Sequence, residues 1–166
     1  VPHKAMKGHP MRPLFTLTAS AVAIAVSACT TAPAEKSAAW PKADLAAAAA
    51  GVNVDPAANV FLAEWTGPFD GTPAFDKMDI AQLKPALEAG MAMNLAEIDA
   101  IAENSQPATF ENTILALEDA GRDLNRVFSY YGILSGNMST PEFRVIQQEM
   151  APKLADFQSK IIQNQK

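Results

Sequence analysis

Between Asp79 and Ile161 large apolar residues recur at alternating steps of four and three, and each run of that spacing opens on a residue that starts helices. A turn of 3.6 residues puts such positions on one side of a cylinder, so the stretch is restricted to amphipathic α-helices packed against one another. Three helices are predicted, and the fold class is all-α. The first runs from Asp79 as N-cap to about Asn104, with Pro85 tolerated near its start and Leu87, Met91, Leu95, Ile98 and Ala102 as its buried stripe. Met91 at that spacing reads as core filling and not as a metal ligand. Asn104-Ser105-Gln106-Pro107 ends the helix. The second opens at Thr109, has Glu111 in its first turn, and carries Phe110, Ile114, Leu117, Gly121, Leu124, Phe128 and Tyr131 as far as about Leu134. Gly121 inside that stripe predicts a closely approaching neighbour, because glycine costs helix stability unless its lack of a side chain is used. Tyr131 is expected in the core and its neighbour Tyr130 on the surface or lining a channel. The third starts at Thr140-Pro141-Glu142 and buries Ile146, Met150, Leu154, Phe157 and Ile161. Pro152 predicts a kink in it. No stop signal precedes Lys166, so a helix cut in mid-course is expected there.

The chain ahead of these helices divides into two further regions. Lys4, Lys7 and Arg12 are followed by the apolar run Leu14 to Val26 and then by Val26-Ser27-Ala28-Cys29, the layout of an export signal. The run is shorter than the 20 or so residues of a bilayer-spanning helix. Its ending resembles the bacterial lipobox, which implies cleavage between Ala28 and Cys29 and lipid attachment at Cys29; a signal peptide without lipid is the alternative. Thr30 after that cysteine implies sorting to the bacterial outer membrane, with the chain facing the periplasm. Residues 30 to 59 are rich in alanine, with Pro33, Pro41 and Pro56, and read as a flexible spacer in which Leu45 to Ala50 forms at most a marginal helix. Trp40 within it reads as an anchor on lipid headgroups or on the folded part. From Phe61 to Asp76, aromatic residues interleave with Gly67, Pro68, Gly71 and Pro73, the pattern of an irregular segment packed onto something larger. The expected division is therefore 1–28 signal, 29–59 tether and 60–166 helical region.

Charge and residue inventory exclude several function classes. The 13 basic residues less Lys4, Lys7 and Arg12 leave 10 against 18 acidic ones, so the processed chain carries a net charge near −8. Such a surface repels phosphate backbones, and nucleic acid is not an expected partner. Both histidines, His3 and His9, precede the only cysteine, Cys29, so no His or Cys follows Thr30. Serines such as Ser129, Ser135 and Ser139 therefore have no histidine base, and no metal site of the usual His and Cys donors is available downstream. Glu111, Glu118, Asp119 and Asp123 lie off the apolar stripe beside Arg122 and Arg126, as a solvated face would. Catalytic residues: none; metal ligands: none.

Several strings in succession carry a family resemblance. Leu62-Ala63-Glu64-Trp65-Thr66-Gly67-Pro68, Pro73-Ala74-Phe75-Asp76, Lys84-Pro85-Ala86-Leu87-Glu88, Ala96-Glu97-Ile98-Asp99-Ala100-Ile101, Thr109-Phe110-Glu111-Asn112-Thr113-Ile114 and Glu149-Met150-Ala151-Pro152-Lys153-Leu154 are, in order and spacing, similar to the N-terminal region of one group. It is the thimet oligopeptidase and oligopeptidase A family of zinc metallopeptidases, the resemblance being nearest to its bacterial peptidyl-dipeptidase, or dipeptidyl carboxypeptidase, branch. The resemblance implies a longer, two-lobed and mostly helical enzyme that hydrolyses short peptides in a deep channel. It also implies a zinc cofactor held by two histidines of an H-E-x-x-H helix and by a further glutamate. No H-E-x-x-H occurs in this sequence. The chain is accordingly expected to form channel wall without catalytic residues and to be inactive alone. A helical lipoprotein that acts by itself as a binding or structural module is the alternative.

Overall fold

The structure, a computed structural model, describes residues 42–69 and 71–165. The expected signal segment, its cleavage point at Ala28 and Cys29, and Trp40 lie outside the described residues. The described residues are all-α: α1 (Leu45–Ala50), α2 (Leu83–Ala102), α3 (Ala116–Asp119), α4 (Arg122–Gly136) and α5 (Pro141–Ile162), with 3-10 turns at Phe75–Lys77 and Ile80–Gln82 and a π-helical turn at Phe110–Leu115.

The stretch expected to be spacer contributes α1. Asp44 caps it by accepting the Ala47 N–H at 2.9 Å, and Ala49 is fully buried. Six residues are too few for a helix to hold in water alone. Alanine side chains let the backbone lie close against a neighbour, and α1 packs on α2 with Leu45 and Ala48 against the core.

The first long helix forms as its N-terminal signals predict. Asp79 accepts the Ala81 N–H at 3.0 Å and starts a 3-10 turn, after which Pro85 falls in the first turn of α2. Its buried surface is wider than a single stripe. Leu83, Ala86, Leu87, Ala89, Gly90, Met91, Met93 and Asn94 are all buried, while Leu95 and Ile98 are only half-buried. The reason is that α1, α4 and α5 all pack on this helix. Gly90 faces Leu124, where an added Cβ would lie 3.2 Å from the Leu124 Cα, and Gly121 faces Asn94, so α2 and α4 run antiparallel. Lys84 pairs with Glu149 and Glu88 with Lys153, so α5 runs parallel to α2.

The single helix expected from Thr109 to Leu134 is broken. Thr109 does cap its start, in a reciprocal box with Asn112. The backbone then turns extended at Ala120 and left-handed at Gly121, with φ of 79°. The Glu97 carboxylate accepts the Gly121 N–H at 2.6 Å, replacing the bond a continuous helix would have made. The close neighbour predicted for Gly121 is present, since an added Cβ would sit 2.9 Å from Asn94 Nδ2. The break also changes the phase of the stripe. Leu124, Val127, Tyr130 and Leu134 are buried in α4, whereas Phe110, Ile114 and Leu117 ahead of it are 65%, 48% and 45% exposed.

Tyr130, expected on the surface or lining a channel, is the more deeply buried of the two tyrosines, and Tyr131 packs half-buried against the core. Tyr130 is fully buried, with Phe61, Trp65 and Phe75 set edge-on to its ring at centroid distances of 5.2, 6.3 and 5.4 Å. The Tyr130 hydroxyl accepts the Ala74 N–H at 2.8 Å. Aromatic packing onto a larger body, expected for 61–76, is thus met by Phe61, Trp65 and Phe75. Phe69 is the exception. It is 93% exposed and holds φ of 58°, a left-handed conformation that costs a bulky residue about 1–2 kcal/mol.

In α5 the Thr140 hydroxyl accepts the Phe143 N–H at 3.2 Å and Pro141 takes the first turn. Phe143, Met150 and Phe157 are buried, and Ile146, Leu154 and Ile161 pack beside them. The helix continues through Pro152 and stops at Ile162.

Candidate functional site

Three cavities adjoin along one edge of α4, and a further one, about 440 Å³, lies between α2 and α5 beside Met91 and Phe157. The first, about 360 Å³, is lined by Lys42, Glu64, Glu97, Asp119, Arg122 and Arg126 among others. The second, about 430 Å³, shares Glu64, Arg122 and Arg126 and adds Trp65, Asn125 and Ser129. The third, about 560 Å³, is lined by Trp65, Thr72, Asp76, Lys77 and Tyr130 and again by Glu64. The sequence between α1 and α2 and the first turns of α4 thus bound one groove with Glu64 at its centre.

The charges in this groove are largely engaged in holding the fold. Arg126 donates from Nε to the Leu62 carbonyl at 3.0 Å and pairs with Asp123, while Arg122 pairs with Asp119. Glu97 receives the Gly121 N–H and a longer bond from Asn94 Nδ2 at 3.4 Å. Ser129 donates its hydroxyl to the Asn125 carbonyl at 3.0 Å. Arg126 and Asp123 are thus held on the groove wall, whereas the Arg122 side chain is 73% exposed.

The expectation of a solvated acidic face is met in part. Glu111 and Glu118 are exposed, but Asp123 and Arg126 side chains are only 19% and 21% exposed, and Arg126 ties α4 to Leu62 in the segment between α1 and α2. Among the described residues no three His, Cys, Asp or Glu side chains come together as a metal-binding group. Their donor set does not fit zinc. Cys29, the expected lipid attachment point, is not among the described residues. No described helix is long and apolar enough to cross a membrane. Sequence reasoning placed Arg126 on a solvated face and gave Glu64 no role of its own, and it missed the groove itself, since these residues come together only through tertiary packing. Gly90 was the overlooked signal: a glycine inside α2 marks the crossing with α4 as clearly as Gly121 does.

The comparisons with known proteins agree on one relationship. The chain is 36% identical over 106 residues to the dipeptidyl carboxypeptidase of Escherichia coli K12, covering 64% of this chain and 15% of that protein. The chain is similar to dipeptidyl carboxypeptidases. The Salmonella typhimurium dipeptidyl carboxypeptidase matches at 29% over 92 residues, 55% of this chain and 14% of that protein. The chain therefore spans about 15% of the length of the curated relatives it matches. No family model matches it, and neither does any solved structure.

Proposed function

We propose that this chain is the helical N-terminal part of an exported zinc metallopeptidase of the thimet oligopeptidase and oligopeptidase A family, acting on short peptides. The observation that carries this reading is the similarity to a dipeptidyl carboxypeptidase over 106 residues, 64% of this chain. In this reading the α2, α4 and α5 layer is a wall of the substrate channel, and the groove around Glu64 positions peptide. On the same reading the zinc and its ligands belong to another part of the enzyme, since no H-E-x-x-H occurs in this sequence. Cleavage at Ala28 and Cys29 and acylation of Cys29 hold the enzyme on the outer membrane, facing the periplasm.

The coding sequence that follows Lys166 tests this directly. The expected result is an in-frame H-E-x-x-H, with zinc and hydrolysis of blocked short peptides in the product that contains it and neither in the 166-residue chain. A stop codon in that place, or stoichiometric zinc in the 166-residue chain, would overturn the proposal and favour a helical lipoprotein that acts alone.

A further inference from the structure

We infer that the exposed stripe of Phe110, Ile114 and Leu117 is the docking face for the remainder of the longer enzyme, which meets it with large apolar side chains rimmed by Lys or Arg. The inference rests on the reading of this chain as part of a longer peptidase.

The face is held on two fixed points. At its start the Thr109 hydroxyl accepts the Asn112 N–H at 3.1 Å, Asn112 Oδ1 accepts the Thr109 N–H at 2.8 Å, and Asn112 Nδ2 donates to the Pro107 carbonyl at 2.9 Å. Further on, Ala116 is buried and α3 packs on α2. Between and beside these points Phe110, Ile114 and Leu117 follow one another at steps of four and three, and Leu115 is exposed with them. Single exposed apolar residues are ordinary on any surface, but four large ones within eight positions on a capped, anchored turn make a contact face.

Charge, chain length and the course of α5 select what covers it. Glu111 and Glu118 are exposed beside the stripe, and residues 109–119 contain no basic side chain. A second copy would set these carboxylates against their own equivalents in either direction, so self-association of the isolated chain stays weak and concentration-dependent. Anionic headgroups would meet the same repulsion, whereas a partner with a cationic rim meets none. The chain spans about 15% of the length of its curated relatives, so in this reading most of the enzyme lies outside these residues and has ample surface to supply. The Lys84–Glu149 and Glu88–Lys153 pairs both join residues 65 positions apart on parallel helices. Carried onward, that register sets Ile162, the exposed last residue of α5, level with Glu97, which holds Gly121 just after α3. The chain that follows α5 therefore starts at the end of the molecule that carries the stripe, and successive elements usually pack beside one another.

Hydroxyl-radical oxidation, read residue by residue by mass spectrometry, tests the face in the longer product against the 166-residue chain diluted to a monomer. The expected result is oxidation of Phe110, Ile114 and Leu117 about tenfold lower in the longer product, the difference between an exposed side chain and one in an interface core. Phe110→Ser with Leu117→Ser, expected to leave the melting temperature of the 166-residue chain nearly unchanged, should lower that of the longer product by about 4 °C. Glu111→Lys with Glu118→Lys should lower it more in the longer product than in the 166-residue chain. Equal oxidation in the two products, or a longer product indifferent to either double variant, would overturn the inference and leave the peptidase reading in place. Protection that grows with protein concentration would assign the face to a second copy, and protection that requires added phospholipid vesicles would assign it to a membrane; either result overturns the inference. A stop codon after Lys166 would remove the longer enzyme and this inference with it.

Discussion

Two glycines of one sequence run have opposite roles, and their environments decide which. Gly121 takes a left-handed φ and abuts the Asn94 side chain, whereas Gly132 lies within α4 with nothing within 4 Å of an added Cβ. Gly121→Ala is expected to destabilise the fold by about 2 kcal/mol or more, from the backbone conformation and the displacement of Asn94 together. Gly132→Ala is expected to stabilise it by about 0.5–1 kcal/mol, because alanine is the better helix former in open space. Urea unfolding of both variants checks the pair, and equal effects of the same sign would contradict it. The close contact at Gly121 was legible in the sequence because a glycine in an apolar stripe is costly without a use. The left-handed turn was not, since it depends on Glu97, 24 positions away, taking up the Gly121 N–H. The same distance effect misplaced Tyr130. Adjacent tyrosines on a helix face different ways, and only the arrival of Phe61, Trp65 and Phe75 determines which of them is interior.

Helix starts were the most legible elements, because capping is local. Asp79, Thr109 and Thr140 all cap as their side chains predict. The relative direction and register of helices were not legible, and in α2 and α5 two ion pairs contribute to them. Lys84 with Glu149 and Glu88 with Lys153 advance by four residues on both helices and carry opposite charge order. Reversing one member of a pair opposes the parallel register, and reversing both members restores it. The first pair also gives a pH dependence. Its hydrogen bond and then its opposite charge lower Glu149 below the ordinary 4.5 and raise Lys84 above the ordinary 10.5. A carboxylate with a lowered value contributes stability above its unfolded value and loses it as pH falls through the folded one. An ammonium with a raised value contributes below its unfolded value and loses it as pH rises through the folded one. The pair is therefore fully effective between the two limbs. In thermal melts taken from neutral pH downward, Glu149→Gln is expected to start lower and to lose less on acidification than the wild type. An unchanged acid limb would remove the pair from the account.

For the whole molecule, the main consequence is an apolar surface left without cover. Phe110, Ile114 and Leu117, on the π-helical turn and α3, form a stripe that the break at Gly121 separates from the core. The 166-residue chain alone is expected to self-associate through it. Light scattering after size exclusion should give a mass that rises with concentration, and a Phe110→Ser, Leu117→Ser double variant should reduce that rise while leaving the melting temperature of the core nearly unchanged. A compact monomer at all concentrations would count against it. The central place of α2 has a different kind of consequence, for the order in which the molecule assembles. Its contacts with α1 and α4 close loops of moderate length, whereas its ion pairs with α5 join residues 65 positions apart. Loop closure grows costlier with separation, so α1, α2 and α4 can reach a common nucleus before α5 docks. The last helix to join is then the first to leave. Changes on the α5 side of that seam would chiefly hasten unfolding, and changes within α2 would slow folding.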